Sequence, residues 1–172
     1  MRVGRVSILI LLMAVVALAG CSRGLEGVTR DFSTGAVSER SVSTVAVAAA
    51  KSTNREGQPP ITVESVVLSG VAPSQVVTVV VDLEMAADSW DAAFRAAQFG
   101  SLLIPSLFSR SDVATVTVSF GEQGGELVDY SFTRTDSGQV DWDAQLDALR
   151  RTDGASWPSF FQAASCTAHI GC

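Results

Sequence analysis

The ten residues from Val76 to Met85 constrain the fold most. Val77, Val79, Val81, Leu83 and Met85 alternate with Thr78, Asp82 and Glu84. A period of two places one set on each side of an extended chain, so this is a strand with one face on a core. Two more runs repeat the pattern. In Val113–Phe120, Val116, Val118 and Phe120 oppose Thr115, Thr117 and Ser119. In Leu127–Arg134, Val128, Tyr130 and Phe132 share a face. Ile61–Leu68 is β-branched and supplies a fourth strand. Ser69-Gly70 and Ala72-Pro73-Ser74 turn the chain between the first two strands, and Gly121–Gly125 turns it between the last two.

Helical spacing follows each pair. After the first, Trp90, Phe94, Ala97, Ser101 and Ile104 recur along one side, Asp88 or Ser89 caps the start, and Pro105 stops or kinks the end. After the second, Asp141 caps a helix carrying Trp142, Leu146 and Leu149. The order ββαββα predicts an α+β two-layer sandwich, a four-stranded antiparallel sheet with both helices on one face. Each helix opens on a similar phrase, Ser89-Trp90-Asp91-Ala92 and Asp141-Trp142-Asp143-Ala144. This fits a duplicated unit, and equally any well-capped helix start.

The N-terminus is of another kind. Arg2 and Arg5 precede an apolar run from Val6 to Leu18, broken only by Ser7. The run ends at Gly20 with polar Ser22-Arg23 behind it, short of the about 20 apolar residues a bilayer-spanning helix needs. Basic start, apolar stretch and small residues follow signal-peptide order. Leu18-Ala19-Gly20-Cys21 resembles the lipobox of prokaryotic lipoproteins. The resemblance covers residues 1–21 only. It implies cleavage between Gly20 and Cys21, a diacylglyceryl thioether on the Cys21 sulfur and, usually, an acyl chain such as palmitate on the new amine. Two or three chains hold a protein stably on a membrane, where one does not. The implied address is the extracytoplasmic face of a cell membrane.

The domain expectation is a signal peptide over 1–20, a tether over 21–58 and a compact domain over 59–172. Ser22–Arg40 is rich in Gly, Ser, Thr and charge. Within the tether, 41–52 carries a short helix (Val42, Val45 and Ala49 on one stripe) or an edge strand (Val45 and Val47). Asn54–Pro60 is a breaker.

The chain has 12 Lys+Arg against 18 Asp+Glu, a formal charge of −6. Without residues 1–20 it is −8. Such an acidic chain argues against nucleic acid and against electrostatic docking on anionic lipids, so the lipid and not a basic patch must supply membrane attachment. Three cysteines occur, Cys21, Cys166 and Cys172. With Cys21 lipidated, Cys166 and Cys172 form an even pair that closes a disulfide in an oxidising compartment. Cys166-x-x-His169-x-x-Cys172 also offers three metal ligands, but no fourth stands nearby, so no metal or other cofactor is assigned. Trp157–Phe161 follows the last helix and is expected to pack on the domain, because three aromatic rings are costly to leave in water.

No catalytic set is visible. His169 is the only histidine, and no G-x-S-x-G elbow exists. Asp82, Glu84, Asp88 and Asp91 cluster without the spacing of a calcium loop, so capping explains them better. Gly121–Gly125 lacks the order of a phosphate cradle. The expectation is therefore a non-enzymatic, lipid-anchored envelope protein that presents a small α+β domain for binding or assembly, an envelope protein being one partner it could take. Two alternatives stand beside it. One is a carrier holding an apolar ligand between Trp90, Phe94, Trp142 and the sheet. The other is a hydrolase or metal protein using His169.

Overall fold

A computed structural model describes residues 24–83, 90–121 and 128–151. Gly20, Cys21, Glu84, Met85, Asp88, Ser89, Glu122–Gly125, Trp157–Phe161, Cys166, His169 and Cys172 lie outside the described residues, as do the side chains of Trp90, Asp91 and Leu149.

Four strands form one sheet in the order β1 (Thr62–Ser69), β2 (Gln75–Asp82), β3 (Val113–Gly121) and β4 (Val128–Thr133). Helix α1 spans Leu25–Thr34, α2 Glu39–Thr53, α3 Trp90–Leu107, α4 Arg134–Gln139 and α5 Trp142–Arg151. The class is α+β, as the alternating patterns imply.

The sheet is mixed, which corrects the antiparallel expectation. β1–β2 and β3–β4 are antiparallel, but the central pair β2–β3 is parallel. The cause is the length of α3. Its 18 residues span about 27 Å at 1.5 Å per residue. The eight residues of β2 span about 26 Å at 3.3 Å per residue. One helix length therefore returns the chain to the end where β2 began, and β3 sets out in the same direction.

Two β-bulges keep the apolar residues on one face. Ile61 and Val63 are odd-numbered while Val66 and Leu68 are even-numbered, so strict alternation would send one pair to solvent. The register slips between Val63 and Ser65, after which Val66 lies opposite Val79 and Leu68 opposite Val77. A second slip at the start of β2–β3 pairs Gln75 with Val113 and Val76 with Thr115. Val113 and Val116 thereby both reach the core. At the β1–β2 turn Gly70 adopts φ +76°, and a Cβ there would lie 2.7 Å from the Ser74 carbonyl oxygen.

Val77, Val79, Val81, Val116, Val118, Phe120 and Phe132 form the buried face, against Phe94, Phe99, Leu103, Ile104 and Leu107 of α3. Phe99 meets Phe120 edge to face at 6.3 Å. Trp142 of α5 packs on Phe132 at 5.7 Å. Pro105 does not end α3. It stands in the last turn, and Phe108 N–H still donates to the Ile104 carbonyl at 3.1 Å. As expected, Asp141 caps α5, accepting from the Ala144 N–H at 3.0 Å. The short α4 is nucleated by a capping box between Thr133 and Asp136.

The larger correction concerns the tether. Residues 25–34 and 39–53 are helices joined to the core. Val42, Val45, Ala46, Ala49, Ala50 and Thr53 make a buried stripe on α2 at helical spacing. The helical alternative for 41–52 is the one observed, with a longer span. α2 begins at a Ser38–Ser41 capping box, Ser41 N–H donating to Ser38 Oγ at 3.1 Å. α1 inserts Phe32, which is only 3% exposed. Helix α1 is further tied down by Arg110 in the α3–β3 loop. Its guanidinium donates to the Gly35 carbonyl at 2.5 Å and to the Ser33 carbonyl at 3.3 Å, while gripping Asp112 at 2.8 and 2.6 Å. Thr29 Oγ1 donates to Ser106 Oγ of α3 at 3.2 Å.

Candidate functional site

A concavity of about 780 Å³ runs between α1 and α2. Each helix contributes one stripe. From α1 come Leu25 and Val28. From α2 come Arg40, Thr44, Val47 and Lys51, spaced four, three and four residues apart. Such spacing lines them along one side of a helix. The buried stripe of α2 faces the sheet and α3, so these residues form its other side.

Its lining mixes apolar side chains such as Leu25, Val28 and Val47 with the hydroxyls of Ser41 and Thr44 and with charged groups. Val47 is 37% exposed, one of three large apolar side chains left substantially open among the described residues. Arg40 and Lys51 are exposed on the rim, with Asp31 across from them on α1. Glu39 in the first turn and Lys51 in the last both complement the α2 dipole. Gly24 lines one end of the groove. This end is where the chain arrives from Cys21, three residues earlier.

Arginines hold the framework. Arg95 of α3 is buried and donates to the Pro59 carbonyl and, at 2.9 Å, to Asn54 Oδ1. Asn54 Oδ1 also accepts from Ile61 N–H at 2.7 Å, so the link from α2 into β1 is fixed. Arg134 donates to the carbonyls of Phe108, Arg110 and Val113 and lies over the Phe108 ring. The Arg110 hydrogen bond holds the Asp112 carboxyl below its ordinary range, and Asp112 in turn raises Arg110. Burial pushes the Tyr130 hydroxyl up to about 12. Arg110, Asp112 and Arg134 gather at the α3–β3 loop, where both guanidiniums bond to backbone carbonyls.

Gly20, Cys21, Cys166, His169 and Cys172 lie outside the described residues. Asp82 ends β2, half-buried. Among the described residues, no three of His, Cys, Asp and Glu gather as metal ligands. No described helix is long and apolar enough to cross a membrane. Between the helices and the sheet, Phe99 packs on Phe120 and Trp142 on Phe132, and the side chain of Trp90, named with Phe94 and Trp142 for a carried ligand, lies outside the described residues. The groove lies elsewhere, on the far side of α2. No family model, no curated protein and no solved structure matches the chain.

Proposed function

We infer that the chain is a lipoprotein of the cell envelope, held at the membrane by acyl chains on Cys21, whose domain serves binding or assembly and not catalysis. The observation that carries the reading is the order of residues 2–21: two arginines, an apolar run, then Leu18-Ala19-Gly20-Cys21. The position of α1 is compatible with it. A fully extended chain covers about 3.6 Å per residue, so Gly24 stands within about 11 Å of the Cys21 Cα. The domain would be carried close against the bilayer and not on a long tether. Mass spectrometry of the protein extracted from membranes tests this. The expected N-terminal peptide begins at Cys21 and bears a diacylglyceryl group and an acyl chain. An unmodified peptide beginning at Met1 would overturn it.

A further inference from the structure

We propose that the α1–α2 groove is the membrane-facing side of the domain, docked on an anionic phospholipid surface through Arg40 and Lys51. The inference rests on the lipid-anchor reading and adds an orientation to it.

Three observations converge. The groove ends at Gly24, three residues from the anchor, so its mouth cannot lie far from the bilayer. Its rim bears two exposed cations, Arg40 and Lys51, against one exposed carboxylate, Asp31, beside the half-open Val47. Charge along the chain is sharply divided. From Ser22 to Arg55, five basic residues (Arg23, Arg30, Arg40, Lys51 and Arg55) stand against three acidic ones (Glu26, Asp31 and Glu39), a formal +2. From Glu56 to Cys172, fifteen acidic residues stand against five basic, a formal −10. A negative surface attracts the first part and repels the second within a Debye length, about 8 Å at physiological salt. Of the basic residues in the first part, Arg40 and Lys51 stand on the groove, so a body anchored beside that groove turns it to the lipid. Acyl chains supply attachment, and the charge division supplies orientation. Leu25, Val28 and Val47 then meet the headgroup boundary, where amphipathic surfaces settle.

Paired probes on the full acylated chain in vesicles test this. A fluorophore is placed at Val47→Cys or, as a control, at Val71→Cys in the β1–β2 turn, where Val71 is 78% exposed. The unsubstituted chain, labelled in parallel, sets the background. Vesicles hold phosphatidylcholine alone or mixed with phosphatidylglycerol, and a spin-labelled phospholipid in the bilayer acts as quencher. The expected result is strong quenching at Val47 and weak quenching at Val71 in the anionic vesicles. Quenching at Val47 should fade in phosphatidylcholine, in high salt and in an R40Q/K51Q variant. Each cation near an anionic surface shifts the balance by about fivefold, so losing both lowers the docked-to-undocked ratio by about thirtyfold. Unchanged thermal melting shows that the variant is folded. Equal quenching at both positions would overturn the proposal. So would quenching at Val47 that ignores lipid charge, which would place an acyl chain in the groove instead. Flotation with vesicles separates the two readings. A chain that floats without selective quenching loses only the orientation, whereas one that does not float loses the anchor and the orientation together.

Discussion

Replacing Phe32 with alanine tests whether α1 belongs to the folded body. The ten residues of α1 include Gly27, Val28, Thr29, Ser33 and Thr34, all poor helix formers. A helix this short does not hold itself in water. Gly24 offers it no side-chain cap. Docking must therefore hold it, and Phe32 is its one buried side chain. A buried Phe→Ala change costs about 3–5 kcal/mol. What remains, the Thr29–Ser106 bond and the Arg110 contacts to Ser33 and Gly35, contributes about 1 kcal/mol per bond. The substitution thus removes most of the docking energy. Helix α1 should open locally before the sheet does. In hydrogen exchange, amides of residues 25–34 should lose protection by at least about 100-fold, the equivalent of about 3 kcal/mol, while β2 and β3 hold theirs. The global melt should fall by less, because α1 leaves alone. If the amides of α1 already exchange like free peptide in the parent, or the variant differs from it by less than about 0.5 kcal/mol, the helix is a tether and the packing argument fails.

Three other outcomes follow from the same packing. Tyr130 is the only tyrosine, so ultraviolet titration of the phenol reads one group; its midpoint should stand at about 12 in the folded chain and about 10 after denaturation. Because the folded value is the higher, Tyr130 adds stability that is whole below pH about 10 and is lost as pH rises through about 12; Y130F should flatten that alkaline limb. Asp112 has the opposite sign: its folded value is depressed by Arg110, so its contribution is present above the ordinary carboxylate range and lost as pH falls below it, and D112N should show a shallower acid limb in denaturant midpoint against pH. Gly70→Ala meets the Ser74 carbonyl at a positive φ and should destabilise by more than about 1 kcal/mol in chemical denaturation, whereas Gly24→Ala, with open space around it, should not.

The strands were legible because alternation survives in any sheet: Val77, Val79 and Val81 face inward whichever neighbours they have. Pairing direction was not legible in that way. It depends on where α3 delivers the chain, and the relevant sign, a helix as long as the strand it leaves, lies in the connection. The bulge near Glu64 could have been read from the change of phase between Val63 and Val66. α1 was hidden because its residues favour coil and only tertiary contact with Phe32 selects the helix. α2 was half legible: its alanines and the Val42–Val45–Ala49 stripe marked a helix, but its groove side, Arg40, Thr44, Val47 and Lys51, emerges only once the helix is extended back to Glu39. The division of charge at residue 55 needed no structure, yet it gains meaning only once residues 25–53 are seen to form two helices packed on each other. Side-chain contact around Cys166, His169 and Cys172 lies outside the described residues, so the disulfide expectation stands on the cysteine count alone.

The most direct measurement on the central claim is membrane fractionation of the parent chain beside Cys21→Ser. The parent should be found in the membrane fraction in its shortened, acylated form. The serine variant should keep residues 1–20 or leave the membrane as a free protein. If the two chains instead distribute identically, with the parent full-length and in the soluble fraction, Cys21 is no anchor.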